Sequence, residues 1–310
     1  MSKVLIIKLG YSETVDQEIS RTSSLGDVLR TTVLLHFYKN DNVTWLTDEK
    51  AVPLLINNPY IKRILIWDMA TCLQLSREHF DIVVNLEKVP GLCALADIIF
   101  SQKRCKLYGF GFDVQTGAAV PNDGAELVYN ICNNEDYKKK SSYVWQELLC
   151  SIINKEFNNE EYILGYQPKT KQLDRQIGFN YLVGNKWQTK AWLRNYWDAL
   201  LFKLLKTNYY SSWQKGYTNL YDYIDWINQC AILVTNDSLG LHIALALKKQ
   251  VIALFGPTNS AEIYGYGRMF TICTTFLCAP CFKNTCNQEI SCMQTITVDS
   301  VFDEIKRIIK

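Results

Sequence analysis

Apolar residues along this chain follow two alternating rhythms. Short, nearly unbroken apolar runs are separated by longer stretches in which apolar positions recur three and four residues apart. The first rhythm marks strands buried on both faces, and the second marks helices with one buried face. Residues 4–7, 43–46, 63–66 and 81–85 read as strands. Residues 27–38 and 49–56 lie between them and read as helices, the first with Val28, Leu29, Val33 and Leu34 on one side. A polar loop is expected from Gly10 to Ser24. The alternation pauses between about residues 120 and 166, where helix is mixed with polar linker. The polar, proline-containing stretch Gln167-Pro168-Lys169-Thr170-Lys171 reads as a connection. The rhythm then restarts. Strands are expected at 177–184, 231–234 and 251–255, and helices at 193–206 and 239–247. Val298, Val301, Phe302, Ile305, Ile308 and Ile309 mark a closing amphipathic helix.

Strand–helix alternation argues an α/β protein with doubly wound parallel sheets. Its interruption argues two domains, residues 1–166 and 167–310. Two such domains imply a cleft, and ligands of open α/β sheets bind beyond the carboxyl ends of the strands. The loops richest in chemistry fall at such ends.

The 310 residues are 48% hydrophobic and 21% charged, with net charge +2. That balance gives no basic stripe for nucleic acid, and Lys138-Lys139-Lys140 reads as a solvated loop. No apolar run approaches the roughly 18 residues of a membrane span. Lys8 interrupts the apolar start and no small-residue cleavage site follows, so a cytoplasmic location is expected. The cysteines number 11, and most sit singly in apolar segments, as small buried hydrophobes do in a reducing compartment.

Five groups of residues carry candidate chemistry. Asp237 and Ser238, followed by Gly240, Leu241 and His242, open a helix after a strand. They suit either a simple N-cap or a diphosphate held on the helix N-terminus. Gly240 would let a ligand approach closely, and His242 either faces that ligand or bonds within the fold. Gly256, Pro257 and Thr258 end the next strand, with a hydroxyl that suits phosphate or ribose. Lys186 and Lys190 lie in a strand-to-helix loop and compete for the role of a lysine neutralising a leaving phosphate. Asp27 starts the first helix and is either a dipole-favoured first-turn acid or a general base. Cys278, Cys281, Cys286 and Cys292 have the spacing C-x2-C-x4-C-x5-C, which suits a tetrahedral structural metal, zinc or iron. The chain has no Walker A sequence, no G-x-G-x-x-G opening a helix, and no Asp-x-Asp pair to hold Mg²⁺ on a diphosphate. Lysine and helix termini would then meet the diphosphate charge.

Taken together, these residues resemble glycosyltransferase family 9, the ADP-heptose-dependent heptosyltransferases. The resemblance rests on Ser23-Ser24-Leu25-Gly26-Asp27-Val28-Leu29-Arg30-Thr31, Val43-Thr44-Trp45-Leu46-Thr47-Asp48, Asn58-Pro59-Tyr60-Ile61 and Lys190-Ala191-Trp192. It extends from Asn236-Asp237-Ser238 through Gly256-Pro257-Thr258. The cysteine segment and Glu262-Ile263-Tyr264-Gly265-Tyr266-Gly267-Arg268 are most similar to the autotransporter heptosyltransferase branch, which carries a cysteine-bound iron. The resemblance implies a GT-B fold, acceptor on the N-terminal domain and donor on the C-terminal one, and an inverting transfer of heptose from ADP-heptose. The acceptor hydroxyl would belong to a lipopolysaccharide core sugar or a protein serine. The resemblance also implies Asp27 as general base, Lys190 as the donor-phosphate lysine, and the residues from Asp237 to His242 as the donor loop. Leu239 stands where the family has a small residue, Leu193 where proline is common, and the loop from Tyr11 to Arg21 is long. The expected partners are a nucleotide-sugar donor and a glycan or protein acceptor, with a homo-oligomer left open. The alternative reading is a non-catalytic nucleotide-sugar-binding or assembly protein.

Overall fold

The structure, a computed structural model, describes residues 1–11, 23–102 and 105–309. Most of the long loop expected after the first strand lies outside the described residues. The chain divides into two compact units, Met1–Tyr166 and Gln167–Lys310.

The first unit is built on strands β1 (Lys3–Ile7), β2 (Asn42–Thr47), β3 (Ile61–Ile66), β4 (Ile82–Asn85), β5 (Lys106–Phe112) and β6 (Ala119–Pro121). Their order in the sheet is β3-β2-β1-β4-β5-β6, parallel except for the β5–β6 pair. β1 sits at the centre, with Leu5 opposite Thr44 on one side and Val83 on the other. A central strand covered on both faces must be apolar throughout, and Val4 to Ile7 are all fully buried. The second unit holds β7 (Gln176–Asn180), β8 (Tyr210–Trp213), β9 (Ile232–Asn236), β10 (Gln250–Phe255) and β11 (Met269–Cys273). They form an all-parallel sheet in the order β11-β10-β9-β7-β8. Two separate wound sheets with flanking helices are the GT-B-like pair of Rossmann units that the resemblance implies.

Several elements differ from the expectation for a physical reason. The single helix expected over residues 27–38 is a helix Leu25–Thr31 followed by a 3-10 segment Thr32–Phe37. Thr31 and Thr32 donate their hydroxyls back to the carbonyls of Asp27 and Leu29, and this back-bonding at a β-branched run tightens the turn. The helix expected over residues 49–56 is a 3-10 turn Glu49–Ala51, capped by Asp48, that hands over to Val52–Leu55 at Pro53. Lys138-Lys139-Lys140 ends a short helix, Glu135–Lys140, where cations suit the dipole. The stretch after Tyr166 belongs to the second unit. Lys169 donates its N–H to Asp225, Asn228 donates to the Thr170 carbonyl, and Lys249 reaches Gln172. Among the described residues no helix is long and apolar enough to cross a membrane.

The second core centres on Trp197, which is fully buried between Phe179 at 5.4 Å and Trp192 at 5.0 Å. Its indole N–H has no hydrogen-bond partner among the described residues. Replacing Trp197 with Ala should therefore cost about 3–5 kcal/mol. Trp197→Phe should cost well under half of that, because no polar contact is lost. Urea unfolding of the two variants checks this, and equal midpoints would contradict the packing argument.

Candidate functional site

The C-terminal ends of β7, β9 and β10 bring the second unit's candidate residues together. Asp237 follows β9, and its Oδ2 accepts from Lys190 Nζ at 2.6 Å and from the Thr258 hydroxyl at 2.8 Å. Residues 190, 237 and 258 thus share one carboxylate oxygen. Burial alone would raise the Asp237 carboxyl, but the Lys190 ammonium, with help from His242 and Thr258, holds it below the usual carboxylate range. Lys190 also lies 5.2 Å from the centre of the Trp187 ring. The loop carrying it is set by Asn236, whose side-chain oxygen accepts the Trp192 N–H at 3.0 Å.

Ser238 is the N-cap of the helix Leu239–Ala246, yet its side chain makes no capping bond. Its hydroxyl instead accepts from Asn180 Nδ2 at 3.0 Å, and Tyr223 donates to the other Asn180 atom, Oδ1, at 2.7 Å. Gly240 is required by that same packing. A Cβ there would lie 2.3 Å from Asn180 Nδ2 and 2.4 Å from the Tyr223 oxygen. The close approach that sequence alone ascribed to a ligand is one the fold makes to itself. Gly256 is similar, its Cβ position lying 2.4 Å from Met293 Sδ and 2.7 Å from Cys292 Sγ. Leu241 is fully buried, and His242 is buried in the same helix. Pro257 presents its carbonyl to the Phe282 N–H at 2.8 Å. Asn180 and Tyr223 were missed by sequence reasoning, and Asn236 entered only within the run Asn236-Asp237-Ser238 with no role of its own. The one available signal was an amide at the end of each strand.

In the first unit, Asp27 lies in the first turn of Leu25–Thr31, and its Oδ1 is 2.9 Å from the Arg30 guanidinium. Arg30 in turn lies over the Trp145 ring at 4.5 Å. The helix start is clasped by the turn after β1. Ser24 donates its N–H to the Gly10 carbonyl, and Ser23 donates its hydroxyl to the Leu9 carbonyl. Behind that turn, Glu87 is fully buried and accepts the N–H groups of Leu9 and Gly10. Glu87 and Arg30 were not singled out from sequence.

The cysteine segment corrects an expectation. Among the described residues no group of three or more His, Cys, Asp or Glu side chains is gathered to hold a metal ion. The zinc or iron site expected at Cys278, Cys281, Cys286 and Cys292 is therefore not formed, and all four are free thiols. Cys278 and Cys286 are exposed, whereas Cys292 is buried. Burial, and then the neighbouring thiols of Cys281, Cys286 and Cys278, push the Cys292 thiol up to about 11. The cysteine-bound metal that the iron-carrying branch implies is therefore not supported for this chain.

Comparison with known proteins agrees with the wider family. Residues 215–291 match Glycosyltransferase family 9 (heptosyltransferase). The chain is 25% identical to lipopolysaccharide heptosyltransferase 1 of Campylobacter coli over 298 residues, covering 78% of this chain and 84% of that one. Its fold is similar to that of the ADP-heptose lps heptosyltransferase II of E. coli, with TM-score 0.66 and 15% identity over 99% of this chain and 98% of the other. E. coli heptosyltransferase WaaC, solved with ADP-2-deoxy-2-fluoro heptose, gives TM-score 0.61 at 15% identity, over 99% of each chain.

The Lys190–Asp237 pair makes a pH-dependent prediction. Asp237 has a folded pKa below its unfolded value of about 3.9, so its contribution is present above that value and is lost as pH falls through the folded one. Lys190→Met strands the carboxylate and should cost about 3 kcal/mol at pH 7. The deficit should shrink as pH falls below about 4, where the variant's Asp237 is protonated. Denaturation curves at pH 7 and pH 3.5 test this, and a deficit independent of pH would contradict it.

Proposed function

We propose that this chain is an inverting glycosyltransferase that moves a heptose from ADP-heptose to a hydroxyl of a lipopolysaccharide core sugar. One observation carries the reading. Lys190 and Asp237, which the family resemblance assigns to the donor, and Thr258, whose hydroxyl suits phosphate or ribose, are distant in sequence yet meet on one oxygen at the carboxyl ends of neighbouring strands. The family match over residues 215–291 and the relatives named above support the donor and the acceptor class. The protein-serine acceptor rested on the branch with a cysteine-bound metal, so the lipopolysaccharide acceptor is the reading kept. In this reading the chain works in the cytoplasm, and the first unit serves the acceptor and the second the donor.

The chemistry assigns each residue one task. Asp27 takes the proton from the acceptor hydroxyl as that oxygen bonds to the anomeric carbon. The bond from the anomeric carbon to the diphosphate oxygen breaks on the opposite face, its electron pair leaves with ADP, and the anomeric configuration inverts. Lys190 and the N–H groups at the helix start after Ser238 meet the charge that develops on the diphosphate. Asp237 keeps the ammonium aimed, and Thr258 stands beside it with a hydroxyl for phosphate or sugar.

Asp27→Ala should lower turnover by at least about a hundredfold while ADP affinity stays within about twofold. Coupled ADP release and calorimetric ADP binding measure the two. Wild-type turnover in that variant would sink the base assignment. Release of ADP from ADP-heptose only when acceptor is present marks a transferase. Tight binding of the donor with no release under any acceptor would favour the non-catalytic alternative.

A further inference from the structure

Glu87 is an odd residue for the interior of a sheet. It follows β4, is fully buried, and presents two oxygens of unequal fate. Oε1 accepts the Leu9 N–H at 2.8 Å and the Gly10 N–H at 2.9 Å, with Lys8 Nζ at 3.5 Å. Oε2 is buried with no hydrogen-bond partner among the described residues. A buried carboxylate that leaves one oxygen unsatisfied is a poor contributor to stability. Its presence is better accounted for by what Oε1 holds.

Oε1 holds a relay that ends on the helix carrying Asp27. The N–H groups of Leu9 and Gly10 point back to Glu87, so their carbonyls point forward, to Ser23 and Ser24. The Asp27 N–H then bonds the Ser24 carbonyl at 3.1 Å. Gly10 turns the chain with φ of +82°, and a Cβ there would lie 2.5 Å from the Ser24 carbonyl oxygen. Glu87 is itself seated by Asn85, whose Oδ1 accepts the Glu87 N–H and whose Nδ2 donates to the Glu87 carbonyl. Asp27 is near enough to add to the upward push on the Glu87 carboxyl, after burial and against the pull of Lys8.

We propose that Glu87 is a positioning residue for Asp27, acting through the Leu9–Gly10 turn and the Ser23–Ser24 helix start. The inference rests on the reading of Asp27 as general base. In that reading the base must meet the acceptor hydroxyl within hydrogen-bond reach, and a displacement of about 1 Å is enough to lower the rate a hundredfold.

The test compares kcat and donor KM for Glu87→Gln, Glu87→Ala, Gly10→Ala and Asp27→Ala in the full chain, with unfolding curves for each. A glutamine oxygen can accept the same two N–H groups, so Glu87→Gln should keep kcat within about threefold. Glu87→Ala should lose at least about tenfold in kcat with donor KM within twofold, because the donor residues lie in the other unit. Gly10→Ala breaks the relay at its next link and should show the same split. It decides the matter if Glu87→Ala fails to fold. Wild-type kcat in a folded Glu87→Ala or Gly10→Ala variant overturns the proposal, as does an equal loss in Glu87→Gln and Glu87→Ala. If Asp27→Ala is inactive while Glu87→Ala is not, the relay alone fails. If Asp27→Ala keeps wild-type turnover, the base reading fails instead.

Discussion

Three buried amides at strand ends hold both candidate sites in place. Asn85 ends β4, Asn180 ends β7 and Asn236 ends β9, and each is fully buried. A buried amide left unbonded costs about 1–3 kcal/mol, so each fixes the chain that satisfies it. Asn85 binds the Glu87 backbone and the Phe110 carbonyl. Asn180 binds Thr235, Ser238 and Tyr223. Asn236 binds Trp192, which follows Lys190 by two residues, and the Tyr181 carbonyl. The Lys190 loop, the Ser238 helix start and the Glu87 turn are therefore each tied to a strand end through an amide. Parallel sheets need such ties, since backbone groups beyond the last ladder bond have no strand partner.

The elements legible in the sequence are those whose burial leaves no choice of composition. β1, β2, β4, β9 and β10 are continuous apolar runs because both of their faces are covered. β5 was not legible, because its Lys-Leu-Tyr-Gly-Phe-Gly-Phe carries two glycines that weaken the strand signal. β8, Tyr-Ser-Ser-Trp, and the half-exposed β11 lie at sheet edges, where apolar continuity is not demanded. The site divides the same way. Asp27, Lys190, Asp237 and Thr258 sit in local motifs. Asn180 and Tyr223 meet across 43 residues, and Glu87 meets Leu9 across 78, so no local spacing points to them.

Thiol spacing shows the limit of a motif read without its backbone. Four cysteines in fifteen residues can chelate a metal only if the chain aims four sulfurs at one point. Here Cys292 is buried against the Gly256 position, Cys278 and Cys286 are exposed, and no group that could hold a metal ion is gathered among the described residues. The segment acts as a brace instead. Phe282 bonds the Pro257 carbonyl, and the Lys283 carbonyl accepts the Thr189 hydroxyl, so one stretch of chain touches both the Lys190 loop and the Gly256–Thr258 loop.

Electrostatics gives the two units a common design. In each, a carboxylate at the start of a helix faces a cation, Asp27 with Arg30 and Asp237 with Lys190. The cations differ in chemistry. Arg30 has a planar fork that can stack on Trp145 while it bonds Asp27, which suits a fixed scaffold. Lys190 is a compact ammonium with three donors, and one of them already reaches Asp237. Asp237 cannot release that ammonium without leaving its carboxylate uncompensated, so the pair holds the cation in one place. In the proposed transfer, a charge held in place beforehand would need no reorganisation as the leaving group develops its own.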